Sequence, residues 1–171
     1  AQIKAKGIYD PATVTVVPNV HPKPDPDKLI PVASVLALTG DAARGESKAA
    51  ACRLCHNFAG SGPNYGPVLD GWVSRQGVEQ AILAIVDPAS DVAHGFEGSR
   101  IDLKDGGQIF GIVSANGDPT VIKSIGGVPQ LVPKDRIQKV NRYRETLMLS
   151  ADQLGLSAQD VADIVAYLQG Q

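Results

Sequence analysis

Apolar residues recur at helical spacing in two stretches of this chain. Over Val78 to Val86, the residues Ile82, Leu83, Ile85 and Val86 fall on one side, and Asp87-Pro88 stops the run. Near the C-terminus, Val161, Ile164, Val165 and Leu168 repeat the pattern. There Ser157 stands at the cap position and Asp160 three residues on. A third helix is predicted from Asp41, a capping residue followed by Ala42, Ala43, Ala49, Ala50 and Ala51, all strong helix formers. Between about 97 and 140 the period changes. Ile101-Asp102-Leu103 and Ile109-Phe110-Gly111-Ile112-Val113 flank Lys104-Asp105-Gly106-Gly107, which reads as a hairpin. Thr120-Val121-Ile122 and Gln130-Leu131-Val132 read as two further strands.

Residues 1 to about 38 follow neither pattern. Pro11, Pro18, Pro22, Pro24, Pro26 and Pro31 punctuate them, and each removes a backbone donor and biases its predecessor toward extended geometry. His21 to Pro26 is expected to be a polyproline-like connector, and Ala12 to Val17 a short strand. The expected organisation is an extended proline-rich arm over 1–38 and one domain over 39–171, with a β insert at about 97–140.

Composition narrows the function. The 171 residues are 43% hydrophobic and 20% charged, as in ordinary globular proteins. Sixteen basic and 18 acidic residues leave a net charge of −2, which is no nucleic-acid footprint and no polybasic membrane patch. No apolar run approaches the roughly 20 residues of a membrane span. The given sequence starts Ala1-Gln2 with no charged or apolar leader region, so either there is no secretory signal or it has been removed; a start without Met favours a processed or trimmed one, and a periplasmic or otherwise extracytoplasmic location is expected.

Both cysteines fall in Cys52-Arg53-Leu54-Cys55-His56. A zinc site wants four ligands, usually as two such pairs, and there is no second pair. A thioredoxin-type pair would follow a strand, whereas this one follows an Ala-rich helical stretch. Covalent haem attachment needs this pattern physically: two thiols three residues apart meet the two vinyl groups of one haem c, and the next residue aims its imidazole at the iron. His56 is then the proximal metal ligand. Met148 is the sole methionine and the favoured sixth ligand, since a thioether on the far side favours ferrous iron. His94 and His21 are the other histidines. The first reads as a loop residue and the second belongs to the arm.

With these residues in hand, the chain resembles class I-type cytochromes c. The resemblance is carried by Gly45, the Cys52 to His56 motif, Gly66-Pro67-Val68-Leu69-Asp70-Gly71, Arg75, Met148 and Val165-Ala166-Tyr167-Leu168. More narrowly it is similar to the haem-binding domain of planctomycetes and Verrucomicrobia, through Ile85 to Ser90 and Lys104-Asp105-Gly106. It spans about residues 40 to 169. It implies a mainly α cytochrome c fold with a small inserted β-sheet. It also implies that Pro67 offers its carbonyl to His56, that Arg75 and Trp72 approach haem propionates, and that Gly45 and Tyr167 lie where the first and last helices cross. Two positions depart from the pattern. Small residues around Ala49 replace the usual aromatic of the first helix, and Leu149 follows the Met where Pro is common.

The expected function is that of a monohaem carrier of single electrons, working with a redox partner such as a periplasmic dehydrogenase or an oxidase, or acting as its haem subunit. No catalytic residue is expected. The alternative is a haem enzyme or gas-binding protein with an open distal site.

Overall fold

The structure, a computed structural model, describes residues 9–142 and 146–171. Its packing falls into two units. One combines the described residues up to His21 with Glu97–Leu147, and the other combines Pro22–Phe96 with Met148–Gln171.

The second unit is helical. Its helices are α1 (Val32–Leu36), α2 (Ala42–Ala49), α3 (Trp72–Gln76), α4 (Val78–Val86) and α5 (Ala158–Leu168). Asp41 caps α2 by accepting from the Arg44 N–H, and Ser157 and Asp160 close a reciprocal capping box at the start of α5. Val35, Ala49, Phe58, Val73, Ile82, Val86, Val161 and Ile164 are buried together as its core.

Small residues let α2 approach α5 closely. A Cβ on Gly45 would run into the Asp163 carbonyl and stand 2.9 Å from Tyr167 Cβ, and one on Gly40 would meet Ala162. At this crossing the Asp163 carboxylate is buried. It accepts from Arg44 Nε (2.7 Å), Arg44 Nη2 (2.8 Å), the Asp41 N–H (2.8 Å) and Gln159 Nε2 (2.9 Å). The Arg44 guanidinium holds that carboxyl well below the usual carboxylate range.

The first unit is an antiparallel sheet of five strands in the order β4-β3-β2-β1-β5. They are β1 (Ser99–Leu103), β2 (Gln108–Asn116), β3 (Thr120–Lys123), β4 (Pro129–Val132) and β5 (Ile137–Arg142). Ile101, Leu103, Ile109, Ile122 and Val132 form a separate core, with Val16, Val113, Ile137 and Val140 packed against it.

Among the described residues the α-helices and 3₁₀ turns together make up 34% and the β-structure 19%. The fold is therefore mixed α/β, which corrects the expected mainly α fold with a small inserted sheet. The physical reason is that the inserted strands bury an apolar cluster of their own.

Residues 9–38, the described part of the expected arm, divide between the two units, and 32–36 form α1. No strand forms over 12–17. Instead Gln130 clamps the stretch with its side-chain amide: Oε1 accepts from the Val17 N–H (2.8 Å) and Nε2 donates to the Val17 carbonyl (3.1 Å). Asn19 does the same to Phe110, accepting at 2.6 Å and donating at 3.0 Å. Among the described residues no helix is long and apolar enough to cross a membrane.

Candidate functional site

The helix α2 does not continue through the cysteine motif. It tightens into a 3₁₀ turn over Ala50–Leu54. The Cys52 carbonyl then accepts from both the Cys55 N–H (3.1 Å) and the His56 N–H (2.9 Å). This short turn holds two thiols and an imidazole within five residues. The two thiols are not joined to each other.

Past His56 the chain loops out and folds back. Phe58 and Ser61 exchange backbone bonds, and Asn57 Nδ2 donates to the Gly62 carbonyl (2.9 Å). Gly62 sits at φ +108, a conformation that favours glycine, and a Cβ there would also strike the His56 carbonyl. The returning strand of the loop is laid on the motif: the Cys55 carbonyl accepts from the N–H groups of Tyr65 (3.0 Å) and Gly66 (2.7 Å). Gly66 lies flat on the imidazole. A Cβ there would come within 2.7 Å of Nδ1 and 2.9 Å of Nε2, and closer still to Cε1.

One bond then fixes the ring. His56 Nδ1 is 2.7 Å from the Pro67 carbonyl oxygen. A carbonyl has no proton to give, so Nδ1 carries the proton and donates it. Nε2 is left with its lone pair. Burial lowers the His56 pKa and outweighs the opposite pull of the Pro67 bond, so the ring is neutral. A neutral imidazole held by Nδ1, with Nε2 basic, is the usual state of a histidine that ligates a metal. Burial also pushes up the Cys52 thiol, which keeps it protonated at neutral pH.

The Tyr65 phenol, near Cys55, is a further buried polar group of this segment. Tyr65 is 4% exposed, and its Oη is buried with no hydrogen-bond partner among the described residues. Burial, and then the neighbouring Cys55, push the phenol pKa far up. An unmet hydroxyl of this kind costs about 1–3 kcal/mol unless another group supplies an acceptor.

Thus Cys52, Cys55, His56 and Pro67 come together. Met148 is half-buried against the helical unit's core, which Cys52, Leu69 and Trp72 also border. Trp72 opens α3. Arg75, on the same helix, is exposed and donates from Nη2 to the Asp70 carbonyl at 3.2 Å. His94 is exposed in a turn. His21 belongs to the sheet unit, its ring 6.1 Å from that of Phe110.

Sequence reasoning passed over two participants. Arg53, inside the motif, stacks its guanidinium 4.5 Å above the Phe58 ring and donates to Tyr167 Oη (3.2 Å). Phe58 is fully buried and meets Tyr167 edge-on at 6.4 Å. No periodic signal marks Phe58, because it stands in the loop and not on a helix.

No family model matches the chain, and no curated protein matches it significantly.

Proposed function

We propose that this chain is a monohaem c-type cytochrome that carries single electrons. The observation that carries the reading is the His56 imidazole, pinned at Nδ1 by the Pro67 carbonyl with Nε2 left basic, one residue from a Cys-x-x-Cys pair.

The residues fit a covalently bound haem c on three grounds. Two thiols lie on one tight turn, the adjoining imidazole has its outer nitrogen available, and the Tyr65 hydroxyl is a buried donor in want of an acceptor. Such a haem would supply a reversible one-electron couple. Cys52 and Cys55 would tether it through thioethers and His56 would be one axial ligand. The Pro67 carbonyl orients the imidazole and raises its basicity. Gly66 leaves the ring room to lie where that bond holds it.

Met148 is assigned the other axial position. It is the chain's sole methionine, and it borders the same apolar core as Cys52. A haem held by both His56 and Met148 would suit electron transfer and leave no place for substrate. Trp72 and Arg75 are assigned to the neighbourhood of the propionates. The partner is a redox protein such as a dehydrogenase or oxidase, and the compartment is the periplasm or another extracytoplasmic space, where haem c attachment takes place.

The test is a pyridine haemochrome assay with an absorption spectrum of the ferric protein. One covalently held haem per chain is expected, with a weak band at the red end from sulfur on iron. Met148→Ala should abolish that band and admit cyanide readily. A protein without covalent haem refutes the reading. A high-spin wild-type spectrum indicates an open distal site and an enzyme or gas-binding protein.

A further inference from the structure

Met148 stands two residues before a buried, densely hydrogen-bonded cluster. Ser150 and Ala151 are both 0% exposed. The Ala151 N–H donates to the carbonyl of Ile85, in the last turn of α4, at 2.9 Å. That carbonyl belongs to a helix end, where acceptors lack an intrahelical partner, so loop and helix satisfy each other.

The Ser150 backbone is held differently, by one side chain. Gln153 Oε1 accepts from the Ser150 N–H at 3.0 Å. The Ser150 hydroxyl lies 2.6 Å from Asp152 Oδ1 and 3.0 Å from the same Gln153 oxygen. The other end of the amide, Nε2, donates to the Pro22 carbonyl at 3.1 Å. Gln153 therefore bridges two segments far apart in sequence, the proline-rich entry to the helical unit and the turn that follows Met148.

We infer that Gln153, acting with Ser150, is a positioning residue for Met148: its amide fixes the point from which the methionine's loop hangs. Two residues of chain reach at most about 7 Å, so a fixed Ser150 confines the Met148 backbone to a small volume. An anchored loop returns its sulfur to the same place after each excursion. A loosened loop lets the sulfur leave the iron more often, and any external ligand then enters faster. The inference rests on the reading of Met148 as an axial ligand and goes beyond it, since it concerns how firmly that ligand is held.

The experiment uses the haem-loaded full chain and cyanide as the probe. Gln153→Leu keeps the bulk of the side chain and removes both ends of the bridge. Gln159→Leu is the comparison. It also removes two bonds in the same unit, to the Thr39 carbonyl and to Asp163, but none to the Met148 loop. The expected result is a rise of about tenfold in the rate of cyanide binding to ferric Gln153→Leu, equivalent to about 1.4 kcal/mol. The pH at which the red band disappears should fall in the same variant. Gln159→Leu should match wild type in both. Should Gln153→Leu not fold, Ser150→Ala takes its place, with a smaller rise in the same direction.

Equal cyanide rates in Gln153→Leu and wild type overturn the inference, as do equal rises in Gln153→Leu and Gln159→Leu. Failure of the underlying reading looks different: the red band is then missing from wild type or survives in Met148→Ala.

Discussion

Replacing Gly66 by Ala tests the packing that orients His56. Gly66 is not in the left-handed region, so alanine can adopt its backbone and the added methyl is the whole perturbation. Ordinary van der Waals contact begins near 3.4 Å, and the methyl would stand 2.7 Å from Nδ1 and 2.9 Å from Nε2. The ring or the 65–67 segment must therefore give by about 0.7 Å or more. Neither moves alone. Shifting the ring stretches its 2.7 Å bond to Pro67, and shifting the segment strains two bonds into the Cys55 carbonyl. Overpacking of this kind costs roughly 1–3 kcal/mol, and a lost Nδ1–H bond adds about 1 kcal/mol. The expected destabilisation is thus about 2–4 kcal/mol, on the order of a 10 °C fall in Tm for a chain of this size. A second readout is chemical. In the haem-bound protein proposed above, a weakened Nδ1 bond would make the imidazole a poorer donor, and the midpoint potential should rise. Thermal unfolding followed at the Soret band and a redox titration would measure both. The control is Gly117→Ala, whose methyl meets one carbonyl at 3.6 Å, an ordinary contact. Equal Tm and equal potential in the two variants would refute the reasoning.

Three other perturbations follow from the geometry. Asp160 is held down to about 2 by Lys48 and by both the hydroxyl and the N–H of Ser157. A depressed carboxyl stabilises the fold above its unfolded pKa near 3.8 and loses that contribution as pH falls through about 2. Asp160→Asn should therefore cost about 0.5–2 kcal/mol at pH 6, and denaturant titrations should show the gap closing between pH 4 and pH 2; a gap unchanged at pH 2 contradicts the assignment. Phe58→Ala empties a fully buried site and should cost about 3–5 kcal/mol in urea unfolding, with a loss below 1 kcal/mol showing that the Phe58–Tyr167 contact is dispensable. Asn19→Ala removes both side-chain bonds to Phe110, so limited proteolysis should cut residues 9–21 faster than in wild type, and an unchanged rate would mean that the contacts of Gln130, Arg136 and Val16 suffice to retain them.

Much of the fold could be read from local pattern. The helix over Val78–Val86 and the capped helix after Ser157 follow from apolar spacing and cap chemistry, which act within a few residues. The hairpin at Lys104–Gly107 follows from its turn residues. The fold class did not follow. Strand β5 was missed because its apolar residues Ile137 and Val140 are three apart and not two. The structure explains that spacing: the register between β1 and β5 shifts at Asp102/Leu103, so strict alternation is broken where it would have been the signal. The stretch 12–17 failed in the opposite sense. Its first residues close a 3₁₀ turn over Pro11–Thr13, and Gln130, a side chain more than a hundred residues away, satisfies Val17. At the site, the Cys52–His56 motif and its proline were visible in the sequence. The anchor at Gln153 was not, since a glutamine carries no pattern that announces a partner at Pro22.

The small residues around Ala49 set how the helical unit packs. Ala49 is fully buried, and with Gly40 and Gly45 it draws α2 in against α5 until backbone meets side chain. A large ring at this crossing would hold the helices apart, and the bidentate Arg44–Asp163 contact needs them close. The partner for Tyr167 comes instead from Phe58, two residues past His56, with Arg53 stacked on its other contacts. The consequence is mechanical. In this chain the ring that packs on α5 belongs to the same short segment as the cysteines and the imidazole. The Cys52–His56 turn is thereby tied directly to the C-terminal helix through Arg53, Phe58 and Tyr167, and not only through α2. A change at Tyr167 should reach His56 by this path. Tyr167→Leu, which removes both the hydroxyl for Arg53 and the edge contact to Phe58, should shift the midpoint potential as well as the stability. A variant that loses stability with its potential unmoved would show that α2 alone holds the turn.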